Sequence, residues 1–375
     1  MARIFTGGFE SGDLLLDGWV SGQTDLGAGG TPVGRPVAVS SSVNEHRTLD
    51  GTNGGAFGAK LYTFAGERTM WIEKTLPNPD DCYLRICFRR TGSTNSAAPF
   101  LYLFDQDDTF CGSLNLNMDS TDGLSLRGSG GALLATSAVG HTIPQSSTVF
   151  TRLEVHLTVS GGNLNIVELR VDDVPWAEMN YSGFGSSTAT GLGKIRLQGC
   201  WNNQSGGNDN AMFYDDIAVN DTTGSINNGF CGNGFVQALL PNGNGTFSQL
   251  TNTAGNSTNN YTYVNTLPTT ANGSNAVGTA SVNLKDTYAV QDIPAPALGI
   301  NVVTIAAYAS KNGPGVSNAN VVGMFNDTED DGNSIALPVG SPNWIKRDLE
   351  LNPNTGLPFT HNDINSMEVG IKFLA

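Results

Sequence analysis

Short stretches in which apolar and polar residues alternate recur through the N-terminal part of the chain. In Thr151–Val159, every second residue from Leu153 onward is apolar and the residues between them are polar. A period of two predicts a strand with one face against a core. The glycine pair that follows predicts a tight turn into a second run, Asn163–Val171, so the two segments are expected to form an antiparallel hairpin.

The same alternation predicts further strands, each bounded by Gly, Asn, Asp or Pro, at Thr69–Leu76, Tyr83–Arg90, Phe100–Phe104, Ser113–Met118, Lys194–Gln198 and Met212–Val219. Glycine accounts for 47 of the 375 residues, whereas charged residues make up only 14%. This composition is unlike that of coiled coils or helical bundles, which are rich in Ala, Glu, Lys, Leu and Arg. Closely spaced strands without helical periods between them predict an antiparallel sandwich.

The composition changes abruptly after residue 221. The stretch Thr222–Leu284 contains no Asp, Glu, Lys or Arg, yet apolar residues recur in it. Since disorder usually accompanies high net charge, we expect ordered strands and polar loops here. Near the C-terminus, Thr360 is expected to cap a short helix over Asn362–Met367, with Asp363 in its first turn, before a last strand, Glu368–Phe373.

The formal net charge of −15 disfavours a nucleic-acid partner, because the phosphate backbone would be repelled over most of the surface. No run of about 18 apolar residues is present, and the first residues lack the apolar core of a secretory signal. We therefore expect a soluble product made in a cytoplasm, without membrane insertion. The five cysteines form no C-x-x-C pair and are expected to be free thiols, partly buried: Cys82, Cys87, Cys111, Cys200 and Cys231.

Several turn-like segments, in a fixed order, carry a resemblance to a known family. They are Gly7–Leu14 with Gly18-Trp19, the hairpin from Leu153 to Asp173, Phe213–Gly232, Leu240–Thr251, Lys285–Tyr288, Asn352–Thr360 and Asn365–Gly370. The chain resembles a family of tailed-bacteriophage virion proteins. The resemblance implies an all-β fold: a concanavalin A-like (laminin-G-like) jelly-roll β-sandwich over residues 1–224, then a smaller C-terminal β domain over residues 225–375 with one short helix.

The resemblance also implies a role. The protein is expected to be a non-enzymatic structural component of the virion, attached to tail or head, assembled with other virion proteins in the host cytoplasm and presenting its jelly roll to host-surface glycans. The symmetry of phage particles predicts a homo-oligomer. Two alternatives remain open: a purely architectural capsid decoration or tail ornament without a ligand, and a host-envelope polysaccharide depolymerase.

Glycoside hydrolases also occur on this type of jelly roll, and their catalytic groups are paired carboxylates. Retaining hydrolysis needs two carboxyl groups about 5–5.5 Å apart. The nearest candidates, Glu168 and Asp172 with Arg170 between them, are expected on the outward face of their strand, opposite Val167 and Leu169. Such a row is typical of a solvated strand surface. No catalytic residue is therefore predicted.

A structural calcium ion is the metal that the resemblance implies. Jelly-roll sugar-binding modules with a Phe-Glu-x-Gly start and an Asp-Asp-Ile end often hold calcium between their first and last strands. Here these segments are Phe9–Gly12 and Asp215–Ile217, so Glu10 and Asp216 are the candidate ligands. The alternative is that both are ordinary edge residues.

Glycan contacts are predicted in the segment 200–210, where an aromatic ring and several amide and carboxylate side chains share a presumed loop. A ring face stacks on sugar C–H groups while amides bind hydroxyl groups. The candidate residues are Trp201, Asn202, Asn203 and Asp209. The alternative is that Trp201 packs onto its own sheet.

Overall fold

The structure, a computed structural model, describes residues 3–9, 14, 18–25, 38–40, 47, 58–64, 68–91, 98–117, 122–145, 148–185, 187–199, 210–266, 275–293, 299–313 and 315–375. The chain divides into two compact units, Met1–Gln237 and Ala238–Ala375. This division lies later in the sequence than the boundary expected after residue 224. The physical reason is that the residues just after 224 are hydrogen bonded to the strands of the first unit.

The strands of the first unit are β1 Arg3–Gly7, β2 Val20–Asp25, β3 Ala38–Ser40, β4 Gly58–Phe64, β5 Arg68–Thr75, β6 Asp81–Arg90, β7 Ala98–Asp105, β8 Phe110–Leu116, β9 Leu124–Gly128, β10 Leu133–Thr136, β11 Thr151–Ser160, β12 Asn163–Val171, β13 Val174–Pro175, β14 Tyr181–Phe184, β15 Leu192–Gln198 and β16 Asn210–Asp221. Twelve of them follow the hydrogen-bonded order β10-β9-β8-β7-β15-β5-β4-β16-β6-β11-β12-β13. The other four pair at the side of this path: β1 with β16, β2 with β5, β3 with β4 and β14 with β12, and all pairs are antiparallel.

Within the ladder, the junction between β4 and β5 is narrow, with two residue pairs. On either side of this corner the two halves of the ladder face each other across one apolar core. Tyr214 of β16 spans that core, since its hydroxyl lies 2.6 Å from the carbonyl oxygen of Gln198 and 3.1 Å from that of Phe100 in the opposite half. The rings of Phe88 and Phe100 also meet across the core, with centroids 4.8 Å apart. The first unit is therefore a β-sandwich.

The hairpin predicted between residues 151 and 171 is confirmed as β11 and β12. Gly161 and Gly162 at its tip have φ angles of 58° and 80°, a left-handed conformation that glycine adopts without a steric penalty. One orientation was wrong: Val167, expected on the core side, is 45% exposed, whereas Ile166 is buried. The pairing shifts at this point because a bulge leaves Val167 without a partner in β11.

The second unit contains β17 Pro241–Ser248, β18 Thr251–Asn252, β19 Val277–Gly278, β20 Lys285–Val290, β21 Val303–Ala309, β22 Asn318–Phe325, β23 Thr328–Asp331, β24 Ile335–Ala336, β25 Asn343–Leu349, helix α1 His361–Ser366 and β26 Glu368–Leu374. Six strands form a sheet: five follow the order β17-β20-β26-β22-β23, and β24 also pairs with β22. Strands β21 and β25 pair in a separate ribbon. A second apolar core lies within this unit. Two 3₁₀ turns, Ala177–Met179 and Asn260–Tyr263, complete the helical elements of the described residues.

Helix α1 confirms the predicted cap. The Thr360 side chain accepts a hydrogen bond from the backbone N–H of Asp363, whose carboxylate accepts the N–H of Thr360 in return. The predicted all-β class is confirmed as well: a sandwich comes first, and a smaller β unit with a short helix follows. Within the described residues, every helix is too short or too polar to serve as a membrane span.

Candidate functional site

The predicted glycan residues Trp201, Asn202, Asn203 and Asp209 lie outside the described residues, and so does Glu10. Of the predicted site residues, the structure therefore places only Asp216. The four predicted glycan contacts stay predictions.

Asp216 lies in β16 at an irregularity in the pairing with β6, between Asp215 and Ala218. Its φ angle of 47° turns its carboxylate away from the regular ladder, and the residue is fully buried. One carboxylate oxygen, Oδ1, accepts the backbone N–H of Val236 at 2.7 Å. The other, Oδ2, forms an ion pair with Nη1 of Arg47 at 2.8 Å.

This arrangement does not fit calcium at Asp216, because a divalent ion on Oδ2 would lie beside the positive guanidinium group of Arg47. In the part of the chain that the structure describes, no three His, Cys, Asp or Glu side chains come together in an arrangement that could hold a metal ion. Since Glu10 is outside that part, calcium elsewhere between the first and last strands stays a prediction.

The outward acidic row of β12 is built into ion pairs and ring contacts. Nε of Arg170 donates to Glu168 at 2.7 Å, and the Arg170 guanidinium lies 3.8 Å from the centre of the Phe230 ring. Asp172 belongs to the following turn and accepts the backbone N–H of Arg152. Arg170 thus packs against the segment that contains Phe230, and Asp172 binds the backbone at the start of β11.

A different group of side chains is brought together on the outward face of β5, β15, β7 and β8. Alternation along each strand sends Ile72, Ile195 and Leu103 into the core, where they are fully buried. The residues between them point away from the core and meet side by side through the strand registers. We call this group the aromatic face: Trp71, Glu73, Tyr102, Phe104, Phe110, Lys194, Arg196 and Gln198.

Arg196 lies at the centre of the aromatic face. In the ladder it is directly opposite Glu73 on one side and Tyr102 on the other. Its Nε and Nη2 both donate to Oε2 of Glu73, at 3.0 and 2.9 Å. Its guanidinium also lies 4.3 Å from the ring centre of Trp71 and 5.2 Å from that of Phe104. The ion pair and the rings fix Arg196 in one position.

Lys194 extends the same pattern by one row. Its ammonium group lies 4.4 Å from the centre of the Phe104 ring and pairs with Glu73 at 3.4 Å and with Asp108. Lys194 and Arg196, the two cations of the face, are thus both paired with carboxylates of the protein. The charges balance, because Glu73 within the face and Asp108 beside it offset the two cations.

Aromatic rings, hydroxyl groups and amides complete the face. The Tyr102 and Phe110 rings, both half-buried, have centroids 5.5 Å apart. Gln198 is paired with Trp71 in the ladder, and Tyr102 is paired with Ser113 of β8. The flat rings offer stacking surfaces. The side chains of Gln198 and Ser113 are themselves buried, and the Ser113 hydroxyl donates to Asn115 at 2.8 Å.

Sequence reasoning identified these strands but not this face. The signal was present, because Trp71, Glu73, Lys194, Arg196 and Gln198 occupy the polar positions of alternating runs. What the sequence did not show is that β5, β15 and β7 are neighbours, since residues 71, 102 and 196 are far apart along the chain. The register alone brings them together.

No family model and no curated protein matches the chain. Solved structures do match over part of it. "Cellulose induced protein, Cip1" is 18% identical, covers 61% of this chain and 100% of its own length, and has a TM-score of 0.41.

Domain 4 of AbnA, a GH43 extracellular arabinanase from Geobacillus stearothermophilus in complex with arabinotriose, is 12% identical, covers 59% of this chain and 92% of its own length, with a TM-score of 0.37. The carbohydrate esterase vb_24B_21 from Shiga toxin-encoding bacteriophage phi24B is 13% identical over 58% of this chain and 97% of its own, with a TM-score of 0.35. At these TM-scores the likenesses assign neither a family nor an activity to this chain.

Proposed function

We propose that the first unit is a glycan-binding module that carries no catalytic activity, and that the aromatic face is its binding surface. The observation that carries the proposal is the fixed position of Arg196 between Trp71 and Phe104, with Glu73 as its partner. A surface held rigid before binding loses little entropy when a ligand arrives.

The chemistry of the face favours an uncharged glycan. Sugar rings carry C–H groups on one face, which stack on Trp71 or Tyr102, and hydroxyl groups at the rim, which bind the partly exposed side chains of Glu73 and Arg196. An anionic glycan would compete with Glu73 and Asp108 for the two cations. We therefore expect neutral polysaccharides to bind more tightly than uronic-acid polymers.

The wider role that we propose is a non-enzymatic structural component of a tailed-phage particle, with the glycan-binding face directed to the host surface. The resemblance of the sequence to virion proteins supports this role, as does the long uncharged stretch Thr222–Leu284, which suits a wet protein–protein interface. In this role the protein assembles with other virion proteins and with further copies of itself.

The aromatic face is tested with the variants Trp71→Ala and Tyr102→Ala in the full chain. A panel of neutral and acidic polysaccharides is measured by affinity electrophoresis and calorimetry. We expect each substitution to weaken binding at least about fivefold, since one stacked aromatic contact contributes roughly 1 kcal/mol or more. Tyr308→Ala is the matched control, because Tyr308 is an exposed aromatic residue of the second unit.

Two results would reject the glycan proposal in different ways. Absence of binding to every polysaccharide by the unmodified protein would leave the purely architectural role. Release of reducing ends from host envelope would establish a depolymerase. The virion role is tested separately: an antibody against the protein should label intact particles in electron micrographs, and unlabelled particles would contradict that role without touching the glycan result.

A further inference from the structure

A segment that follows β16, Gly229–Val236, is attached to the outer surface of the sandwich by side chains that bind its main chain. We call it the covering segment. Asn220 donates to the carbonyl oxygen of Gly229 at 2.8 Å, and the backbone N–H of Gly232 donates to Glu154 at 2.7 Å. Nη1 of Arg85 donates to the carbonyl oxygen of Gly232 at 3.1 Å.

The groups beneath the covering segment are charged and buried. Asp215, Asp216, Glu154, Arg85 and Arg152 are all at most 4% exposed. Buried ions of this kind are tolerated only when each is paired and hydrogen bonded. Arg47 adds a third guanidinium group and pairs with Asp216, and Arg152 lies 3.3 Å from Glu154, whereas Arg85 donates to the carbonyl oxygens of Asp216 and Gly232.

Both neighbouring aspartates are satisfied through Arg47 and the local backbone. Oδ2 of Asp215 accepts the backbone N–H of Arg47 at 2.7 Å, and its Oδ1 accepts the N–H of Asp216 at 2.7 Å. As described above, Asp216 pairs with Arg47 through one oxygen and with Val236 through the other. All four carboxylate oxygens therefore have a donor.

The acceptors around the Arg47 guanidinium are of three kinds. Nη1 donates to Oδ2 of Asp216 at 2.8 Å and to the carbonyl oxygen of Gly234 at 2.7 Å, and Nη2 donates to the side-chain oxygen of Asn233. A carboxylate, a backbone carbonyl and an amide oxygen are the ligands that calcium takes in proteins. Two of the three come from the covering segment and one from the sheet.

We propose that the guanidinium group of Arg47 fills an oxygen cage of the kind that holds a structural calcium ion, and that it joins the covering segment to β16 in place of that ion. The attachment is then built into the sequence and independent of divalent cations. Removing the Arg47 side chain would leave the cage of Asp216, Asn233 and Gly234 open to a metal ion. This inference is independent of the glycan proposal.

The first part of the test uses the unmodified protein. Its melting temperature is recorded in calcium and in a chelator, and hydrogen exchange is followed in a peptide that covers residues 229–237. We expect no difference between the two conditions in the exchange of this peptide. Faster exchange of the peptide in the chelator would overturn the proposal.

The second part uses Arg47→Ala. We expect a fall in melting temperature of about 10 °C, because one partner of a buried ion pair is removed. Exchange at Gly232 and Val236 should rise at least about tenfold, since their N–H groups are held by side chains of the cage and its surroundings. Added calcium should restore part of the loss, whereas magnesium, which demands a stricter octahedral geometry, should restore less.

Controls separate this role from general destabilisation. Arg347→Ala breaks an ion pair with Asp330 in the second unit and should show no calcium response. The double variant Arg47→Ala with Asp216→Asn should also lose the response, because the carboxylate of the cage is gone. If Arg47→Ala does not fold, Arg47→Lys is used instead. It keeps the positive charge but lacks the several N–H donors of the guanidinium group, so exchange in the peptide of residues 229–237 should still be faster. An unchanged peptide in Arg47→Lys or Arg47→Ala, or an Arg47→Ala protein that calcium does not stabilise, would overturn the proposal.

Discussion

The two units hold their irregular segments by different means. In the first unit, pairs of opposite charges lie beneath the covering segment, with Arg47 and Asp216 at the centre. In the second unit, a single buried carboxylate, Asp286, gathers uncharged donors: the backbone N–H groups of Gln249 and Leu250, the Asn260 amide and the Tyr288 hydroxyl.

The difference shows how a stretch without charges can be ordered. Asn260 connects Asp286 to a second asparagine, because its side-chain oxygen accepts a hydrogen bond from the side-chain amide of Asn252. The side-chain oxygen of Asn252 in turn accepts the backbone N–H groups of Ala254 and Asn256. Every link is an amide or a backbone group, and the network ends on the carboxylate that follows the uncharged stretch. Uncharged donors are enough to stabilise the buried carboxylate of Asp286, because four hydrogen bonds replace those that it would make to water.

The largest effect that we predict is for Asp286→Ala. The change leaves four donors in the second unit without their acceptor, so we expect a loss of about 4 kcal/mol in the free energy of unfolding. Denaturant unfolding measures this loss, and hydrogen exchange of β20 and β26 shows whether it is located in the second unit. Asp348→Ala is the control, because Asp348 accepts a surface hydrogen bond from the hydroxyl group of Thr304. Equal losses for the two variants would contradict the central role of Asp286.

A smaller effect is predicted for the first unit, whose stability depends more on apolar packing than on one polar centre. Leu103→Ala removes a fully buried side chain from the sandwich core, and we expect a loss of about 3 kcal/mol. The exposed residue Leu133 provides the control, since Leu133→Ala should change stability by less than about 0.5 kcal/mol. A Leu103 variant as stable as the control would show that the core repacks around the space.

The smallest predicted effect is a shared sensitivity to acid. A hydrogen bond from Lys285 holds the pKa of Glu329 below its ordinary value of 4.5, with Lys372 adding to the effect. Burial opposes the shift at Glu178 in the first unit, but hydrogen bonds from the Ala138 backbone and His141 still leave its pKa lowered.

For a carboxyl group with a lowered pKa, the stabilisation is complete above the unfolded-state pKa and is lost as the pH falls through the folded-state value. Both units should therefore lose stability below about pH 4.5, each by less than about 1 kcal/mol because the pairs are partly exposed. Unfolding of Glu329→Gln and Glu178→Gln at pH 7 and pH 3 measures this. A variant that keeps the full pH dependence would exclude its carboxyl group as the source.

Local patterns predicted the local structure well. The alternation of Thr151–Val159, the glycine pair after it and the Thr360 cap each act within a few residues, and each was found where expected. The misplacement of Val167 has the same origin, because a bulge is a property of two paired strands and cannot be read from one of them.

Contacts between residues that are far apart along the chain could not be predicted from the sequence. Arg47 and Asp215 are 168 positions apart, and nothing near Arg47 marks it as a partner of the Asp-Asp pair in β16. The same holds for the aromatic face, which depends on the order of strands. A motif suggested a metal ligand at Asp216, whereas the fold supplies an arginine to that residue.

The distribution of thiols gives the first unit its own chemical reporter. Cys82, Cys87, Cys111 and Cys231 are all buried in that unit, and burial raises the pKa of Cys87 to about 12. A thiol reacts with alkylating reagents as the thiolate, so these groups should become labelled only when the sandwich opens. Since all five cysteines of the chain precede residue 238, where the second unit begins, the rate at which these four buried thiols are alkylated reports the opening of the first unit and carries no information on the second.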